Sequence, residues 1–391
     1  MSLWWTGKDQ LDDTQRALIE DLPLRENHMI LGPPGCGKTN VLLRRAQFLR
    51  SQSMPGVMVL SFTRPLVEFV KTGCYDGRRE IFPPSLIMTV EGWIRSLYRS
   101  HKVALPVRGP NDSLALWKRT LAGGALGFST NSLVPKFDAI LVDEGQDLYL
   151  EELQLVKEWA DVVFFVGDSR QKIYRDSDGL GAVEATFPGM TVKTLKFHYR
   201  LAPELCRVAD RILNSQSGET LSSTSLYKGP KPGHAETHGP LGKGSQIAAV
   251  IDKLKTQTRV YSTLIEQGDK LGVIVPRGQD RQAVFDAFEA DAELSGLSQI
   301  IRARSIDLSD SNFDPSFDPD RPISIVTEAG SKGLEFRAVH WLFCDDLRHI
   351  RQTETYYTVI TRPKTSMDAY FDGTLPQSLA ASCAPSDKEL W

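Results

Sequence analysis

The sequence predicts an α/β fold of two lobes, each a parallel sheet flanked by helices. Two observations carry this expectation. Short apolar, β-branched runs recur along the chain, at VMVLSF from 57, DAILVD from 138, VVFFVGD from 162, LGVIVP from 271, ISIVTE from 323 and AVHWLF from 338, with helical stretches between them. Runs that are apolar throughout mark strands buried on both faces, the condition of a parallel sheet covered by its own crossovers. The second observation is length. A chain of 391 residues exceeds what one core organises, since single cores stop growing near ~250 residues. A boundary after 194 gives lobes of 1–194 and 195–391, each with one sheet's worth of strands.

Composition narrows the class. The apolar and charged fractions are those of an ordinary globular protein, and no run of ~18 apolar residues suits a bilayer span. The N-terminal MSLWWTGKDQLDD lacks a basic segment followed by a long apolar stretch, so no secretory leader is expected and the cytoplasm is the expected compartment. Five scattered cysteines, Cys36, Cys74, Cys206, Cys344 and Cys383, include no C-x-x-C pair. Reduced thiols are expected rather than a disulfide framework or zinc site. A net charge of −3 is not that of a bulk polyanion binder, so any nucleic-acid track must be local. Segments 101–136 and 214–245 are richer in Gly, Pro, Ser and polar residues, and the first reads as a small insertion over about 100–136. SDSNFDPSFDPDRP from 309 reads as an acidic loop inside a short insertion over about 305–321. There is no short internal repeat.

The strongest motif is GPPGCGKT, with Gly32, Pro33, Pro34, Gly35, Cys36, Gly37, Lys38 and Thr39 in that order. It follows the apolar Met29-Ile30-Leu31 and opens a stretch with Leu42, Ala46 and Leu49 at helical spacing. The spacing is G-x-x-x-x-G-K-[ST], the Walker A phosphate loop. Its glycines let successive N–H groups curl around a β-phosphate, Lys38 neutralises the β and γ oxygens, and the Thr39 hydroxyl is placed to hold Mg²⁺. About a hundred residues on, the run Ala139-Ile140-Leu141-Val142 ends in Asp143-Glu144. There a phosphate-loop ATPase needs one carboxylate for Mg²⁺, Asp143, and one to orient or deprotonate the attacking water, Glu144. ATP and Mg²⁺ are therefore the expected ligands.

DEGQDL, Asp143 to Leu148, resembles the DE-x-QD box of the UvrD, Rep and PcrA helicases of superfamily 1, and further boxes agree in order. LDDTQ at 11–15 is similar to their Q motif, which implies that Gln15 reads adenine. VLSFTR at 59–64 resembles motif Ia and MTVEGW at 88–93 a divergent motif Ib. VGDSRQKIY at 166–174 resembles motif III, with Gln171 sensing the γ-phosphate. LKFHYR at 195–200 resembles motif IV, with Tyr199 stacking on adenine and Arg200 reaching the γ-phosphate. VTEAGSKGLEF at 326–336 resembles motif V, with Gly333 at the nucleotide and Glu335 near the ribose, and YYTVITRPK at 356–364 resembles motif VI, with Arg362 as a second arginine. The resemblance covers about residues 11 to 365 and implies two RecA-like P-loop NTPase lobes with ATP between them. It also implies a track of single-stranded DNA, or RNA, along Phe62, Thr63, Arg64, Thr89 and Thr327, with 3′ to 5′ movement and a DNA-repair setting; Trp93 and Tyr174 could add stacking faces to it, with ordinary packing the alternative for each. An arginine brought to the transition state is worth roughly 10³ to 10⁵ in rate, so turnover would depend on lobe closure.

Departures fall mainly on the nucleic-acid side. Asn40 follows GKT where the family commonly has arginine beside adenine; Asp176 stands for the motif III tryptophan, Val90-Glu91 for Phe-His in motif Ib, and Ala329 for the motif V histidine. Each aromatic lost from a single-strand platform removes about 1 to 3 kcal/mol of stacking. The gaps that hold accessory domains in the family contain only about fifty and forty residues here, a stripped core whose missing domains a protein partner would supply. His234 and His238 in HAETH lack a third ligand in sequence and read as strand and loop rather than metal site. Arg44-Arg45 and Arg78-Arg79 read as solvated faces, and His198 and His340 as packing. Two functions follow: a translocase or helicase on single strands, or a nucleotide-switched adaptor or motor subunit acting through a protein partner. No dinucleotide fingerprint or protein-kinase set is present.

Overall fold

The computed structural model describes Trp5 and residues 10–128, 134–168, 179–213, 220–230, 232–301, 317–346 and 352–384, the side chain of Gln352 excepted. It contains two compact units, Trp5–Lys196 and one beginning at Phe197. Each holds a six-stranded, all-parallel sheet. The two sheets with flanking helices are RecA-like lobes.

In the first unit the strands are β1 (His28–Leu31), β2 (Val57–Ser61), a small antiparallel pair β3 (Tyr75–Asp76) and β4 (Arg79–Glu80), then β5 (Ile87–Thr89), β6 (Phe137–Val142), β7 (Ala160–Gly167) and β8 (Thr191–Thr194). The sheet order is β5-β2-β6-β7-β1-β8. Side-chain alternation splits the apolar strands between two cores. Ile30, Val57, Val59, Leu141, Phe164 and Val166 face one cluster; Met29, Met58, Leu60, Ile140, Val142, Val163 and Phe165 face the other. That two-sided burial is why these strands read as continuous apolar runs. The small insertion over about 100–136 contains the helix Leu114–Ala125, whose Trp117, Leu121, Ala122 and Ala125 enter the second core. Ser113 caps it by accepting from the Leu116 N–H at 3.1 Å.

The second unit adds β9 (His234–His238), β10 (Leu271–Val275), β11 (Ser298–Ile300), β12 (Ile323–Thr327), β13 (Phe336–Trp341) and β14 (Pro363–Tyr370), in the order β11-β12-β10-β13-β14-β9. Again the two faces separate: Ile274, Val326, Val339, Trp341 and Met367 pack on one side, and Val273, Val275, Ile323, Ile325, Ala338 and Tyr370 on the other. HAETH is a strand, as expected, and forms the sheet edge. β14 is buried although its sequence, PKTSMDAY, is largely polar. Its polarity is matched by partners: Thr365 Oγ1 accepts from Arg337 at 3.1 Å and lies 2.9 Å from the Tyr227 hydroxyl.

Arg45 corrects one expectation. It is not solvated but 1% exposed, donating to the carbonyls of Ile19, Leu22 and Pro23 at 2.7, 2.8 and 2.9 Å. The guanidinium ties the chain before β1 to the phosphate-loop helix. Arg78 and Arg79 are exposed, as read. All five cysteines are free thiols. Among the described residues, no helix is long and apolar enough to cross a membrane.

Glu328, just after β12, is 3% exposed. Burial raises its carboxyl to about 7, although the Trp341 indole N–H, donating at 3.0 Å, pulls the other way. A carboxyl whose folded value lies above its ordinary 4.5 holds its proton more tightly in the fold. Stability therefore falls as pH rises through that window, and the cost is complete above it. Glu328→Gln keeps an acceptor for Trp341 and cannot ionise. It is expected to be more stable than the native chain by roughly 3 kcal/mol at pH 8 and equal to it near pH 4, as thermal melts at the two pH values would show.

Candidate nucleotide site

β1 ends at Leu31 and the loop Gly32–Gly37 delivers the chain into the helix Lys38–Ser51. Two conformations demand glycine: Gly35 and Gly37 have φ of 76° and 87°. At Gly37 a Cβ would also lie 2.7 Å from the Gln15 amide. Gly32 is constrained by space instead, since a Cβ there would meet Cys36 Sγ at 2.6 Å and the Leu195 carbonyl at 3.0 Å. Lys38 folds back into the loop, donating to the Gly32 and Pro33 carbonyls at 2.8 and 3.0 Å, and Cys36 Sγ lies 4.0 Å from its Nζ.

Gln15 does two things at once. With Asp12 it forms a capping box, Gln15 N–H to Asp12 Oδ1 at 2.7 Å and Asp12 N–H to Gln15 Oε1 at 3.2 Å. Its side-chain amide then donates to the Cys36 carbonyl at 3.1 Å. The residue expected to read adenine thus also braces the phosphate loop. Asn40 is buried in the first turns of the loop helix.

β6, between β2 and β7, carries Asp143 and Glu144 at its C-terminal end. The Thr39 hydroxyl donates to Asp143 Oδ2 at 2.9 Å, and the Glu144 N–H to Asp143 Oδ1 at 3.0 Å. Burial first, then the neighbouring Glu144 charge, pushes the Asp143 carboxyl well above the usual carboxylate range, against the pull of the Thr39 bond and Lys38. A buried carboxylate beside a hydroxyl at a helix N-terminus is an all-oxygen donor set short of positive charge, which fits Mg²⁺. Glu144 has a left-handed φ of 56°. Its carboxylate accepts from the Gln146 amide, and Gln146 Oε1 accepts from the Asp168 N–H at 3.3 Å. Gln146 thus ties Glu144 to the end of β7. Gln146, part of DEGQDL, carried no expected role; its place two residues after Glu144 was the available signal.

The nucleic-acid candidates of this unit are mixed. Thr63 and Thr89 cap helices, accepting from Leu66 N–H at 3.3 Å and Gly92 N–H at 3.0 Å, and Arg64 begins the first of these helices, half-buried. Phe62 is half-buried with the Lys118 ammonium 4.3 Å from its ring centroid. Trp93 is a correction: at 2% exposure it packs in the second core among Met58, Leu60 and Trp117 and offers no face to a base. Gln171, Tyr174 and Asp176 lie outside the described residues.

In the second unit Tyr199 is partly exposed. Arg200 pairs with Glu335, and Lys364 lies 4.0 Å from the same carboxylate. Glu335 is thereby held below its ordinary range despite burial. Gly333 takes a φ of 77° in the turn before it. Arg362 is buried, donating to the Thr358 and Leu334 carbonyls at 2.8 and 3.2 Å and to Thr361 Oγ1 at 3.0 Å. Thr327 accepts from the Gly330 N–H at 3.1 Å. Glu335, expected near a ribose, is at present the counter-ion of Arg200.

Residues 15–177 match the family model of an AAA domain. With the loop, its lysine and the Thr39–Asp143 pair, the first unit is a P-loop nucleotide-binding domain. No curated protein matches the chain. Among solved structures it is similar over 91% of its length to the PRRSV helicase, at 13% identity and a TM-score of 0.43. It spans 54% of that chain, about half its length. It is also similar, over 46% of its length and 92% of the other chain, to the C-terminal domain of a possible DNA helicase from Lactobacillus plantarum WCFS1, at 16% identity and a TM-score of 0.32.

Proposed function

We propose that the chain is an ATP- and Mg²⁺-dependent motor resembling the UvrD-type helicases, hydrolysing ATP to move along single-stranded DNA. The observation that carries this reading is the convergence of Lys38, Thr39, Asp143 and Glu144 on the end of one sheet. Loop N–H groups and Lys38 bind the phosphates, Thr39 and Asp143 hold Mg²⁺, and Glu144, oriented by Gln146, takes the proton of the attacking water. When bound, Mg²⁺ neutralises charge on the β and γ oxygens. Arg200 and Arg362 supply positive charge to the transferred phosphoryl group, and Tyr199, Gly333 and Glu335 serve the nucleoside, as the helicase resemblance implies. The same resemblance supports 3′ to 5′ polarity. Phe62, Arg64 and the capping threonines Thr63 and Thr89 support a single-strand path on the first unit, and the resemblance adds Thr327.

Steady-state ATPase activity at low salt, where phosphate contacts are strongest, tests this reading. Single-stranded DNA is expected to stimulate turnover at least about tenfold, as lobe closure on a track brings up the arginines. Absence of stimulation by every DNA and RNA tested would overturn it. One observation favours a second reading, a nucleotide-switched adaptor acting with a protein partner: Trp93 is in the core and Phe62 already carries Lys118 on its ring. ATP-dependent capture of a protein, indifferent to single strands, would support that alternative.

A further inference from the structure

At the edge of the second sheet, β9 places His234, Glu236 and His238 on one face, because alternate strand residues point the same way. The register pairs Glu236 with Asp368 of β14, and Asp368 with His340 of β13. A row His340–Asp368–Glu236 therefore crosses three strands, with the two other histidines flanking its outer end. Asp368 is fully buried. His238 Nε2 lies 2.7 Å from its Oδ1, His234 Nε2 3.3 Å from its Oδ2, and His340 Nδ1 3.7 Å from Oδ2. Glu236 Oε2 is 3.9 Å from His238 Nε2. One ligand atom from each of His234, Glu236 and Asp368 can be chosen so that all three lie within 4.8 Å of one another.

The third ligand that HAETH lacks in sequence is thus supplied by a strand far along the chain. The group opens to solvent, with the side chains of His234 38% and Glu236 57% exposed. His234 with the carboxylates of Glu236 and Asp368, and His238 against the other Asp368 oxygen, form a mixed nitrogen–oxygen donor set suited to Zn²⁺ and its neighbours rather than to Mg²⁺ or Ca²⁺, which prefer oxygen alone. Tetrahedral zinc, with bonds of about 2.0–2.2 Å, needs its ligand atoms roughly 3.4 Å apart, so the His234, Glu236 and Asp368 atoms, within 4.8 Å of one another, draw together on binding. Behind Asp368, His340 is buried, with Nε2 2.9 Å from Gln257 Oε1 and Nδ1 3.3 Å from the Tyr370 hydroxyl. Such outer contacts orient a ligating carboxylate. The Lys253 ammonium donates to Asp368 Oδ1 at 2.5 Å and is 3.4 Å from His238 Nε2. It stands where a cation would, on a side chain 37% exposed and able to swing outward.

We propose that His234, Glu236 and Asp368, with His238 beside Asp368, form a transition-metal site of the zinc type in the second unit, for which Lys253 competes at Asp368. The site is separate from the phosphate loop and does not depend on the ATPase reading. Lys253→Met removes the competing charge, whereas replacing both histidines removes the nitrogen donor of the group and the imidazole that holds the other Asp368 oxygen.

The test is zinc titration of the full chain against a chelator of known affinity, with metal content measured after desalting. About one zinc per chain is expected, unaffected by millimolar Mg²⁺. The double variant His234→Ala/His238→Ala should bind at least about a hundredfold more weakly, and Lys253→Met about tenfold more tightly than the native chain. Melting curves without metal establish that each variant is folded, and the opposite sign expected for Lys253→Met does not depend on the histidine variant folding. Zinc uptake equal in the native chain and the folded double variant would overturn the proposal, as would failure of both the native chain and Lys253→Met to retain zinc.

Discussion

Glu144→Gln is expected to lower ATP turnover by about 10² to 10⁴, the range of a lost general base, while leaving nucleotide binding nearly unchanged. Glutamine keeps the shape of the side chain and can still meet Gln146, so the fold at the end of β6 is retained. It cannot accept a proton from water. Asp143 and Thr39, which make the 2.9 Å contact across the loop, are untouched, and removing the Glu144 charge takes away one of the two influences that raise the Asp143 carboxyl. Binding of Mg²⁺ and ATP should consequently be equal or slightly tighter. Single-turnover hydrolysis beside equilibrium binding of a fluorescent ATP analogue separates the two effects. Turnover within a factor of three of the native chain would remove Glu144 from the chemistry.

The second large effect is structural and lies in the other unit. Asp269 is fully buried and takes Arg337 on one oxygen, with the Nε contact at 2.7 Å, and Lys364 on the other at 2.8 Å. Removing one partner of a buried ion group strands the others. Asp269→Ala leaves two cations without their anion and is expected to cost about 3–5 kcal/mol. In a unit of this size that lowers its melting temperature by roughly 10 °C. Lys364 also lies 4.0 Å from Glu335, the partner of Arg200, so ATP turnover should fall below the melting temperature as well. Glu68→Ala is the control: its pair with Lys71 is partly exposed and is expected to be worth under about 1 kcal/mol. Equal melting curves for the two variants would show that the buried triad contributes nothing.

Legibility followed locality. GPPGCGKT and the run ending in Asp143-Glu144 carry their pattern within a few residues of a strand, so the sequence showed the elements, and the structure brings Thr39 and Asp143 together as their spacing predicts. The six apolar strands named from sequence are present because each is buried on two faces. β14 was missed for the converse reason. Its Thr365 and Asp368 look like a solvated segment until Arg337, Tyr227, His234, His238 and Lys253 arrive from distant parts of the chain to satisfy them. Arg45 misled similarly, since the three carbonyls that bury it precede β1 and leave no local pattern. Trp93 shows the limit of motif alignment. The motif position survives, but an amphipathic helix, Val90–Ser100, turns that side chain inward with Ile94 and Leu97.

Because Lys38 already spends its ammonium on the carbonyls of Gly32 and Pro33, arrival of a nucleotide is an exchange of ligands rather than the ordering of a slack loop. The entropy of holding the lysine is lost during folding, not at encounter. Affinity should then track the number of phosphate oxygens able to outbid two carbonyls. Nucleoside monophosphate is accordingly expected to bind most weakly, as equilibrium titration beside the di- and triphosphate would show.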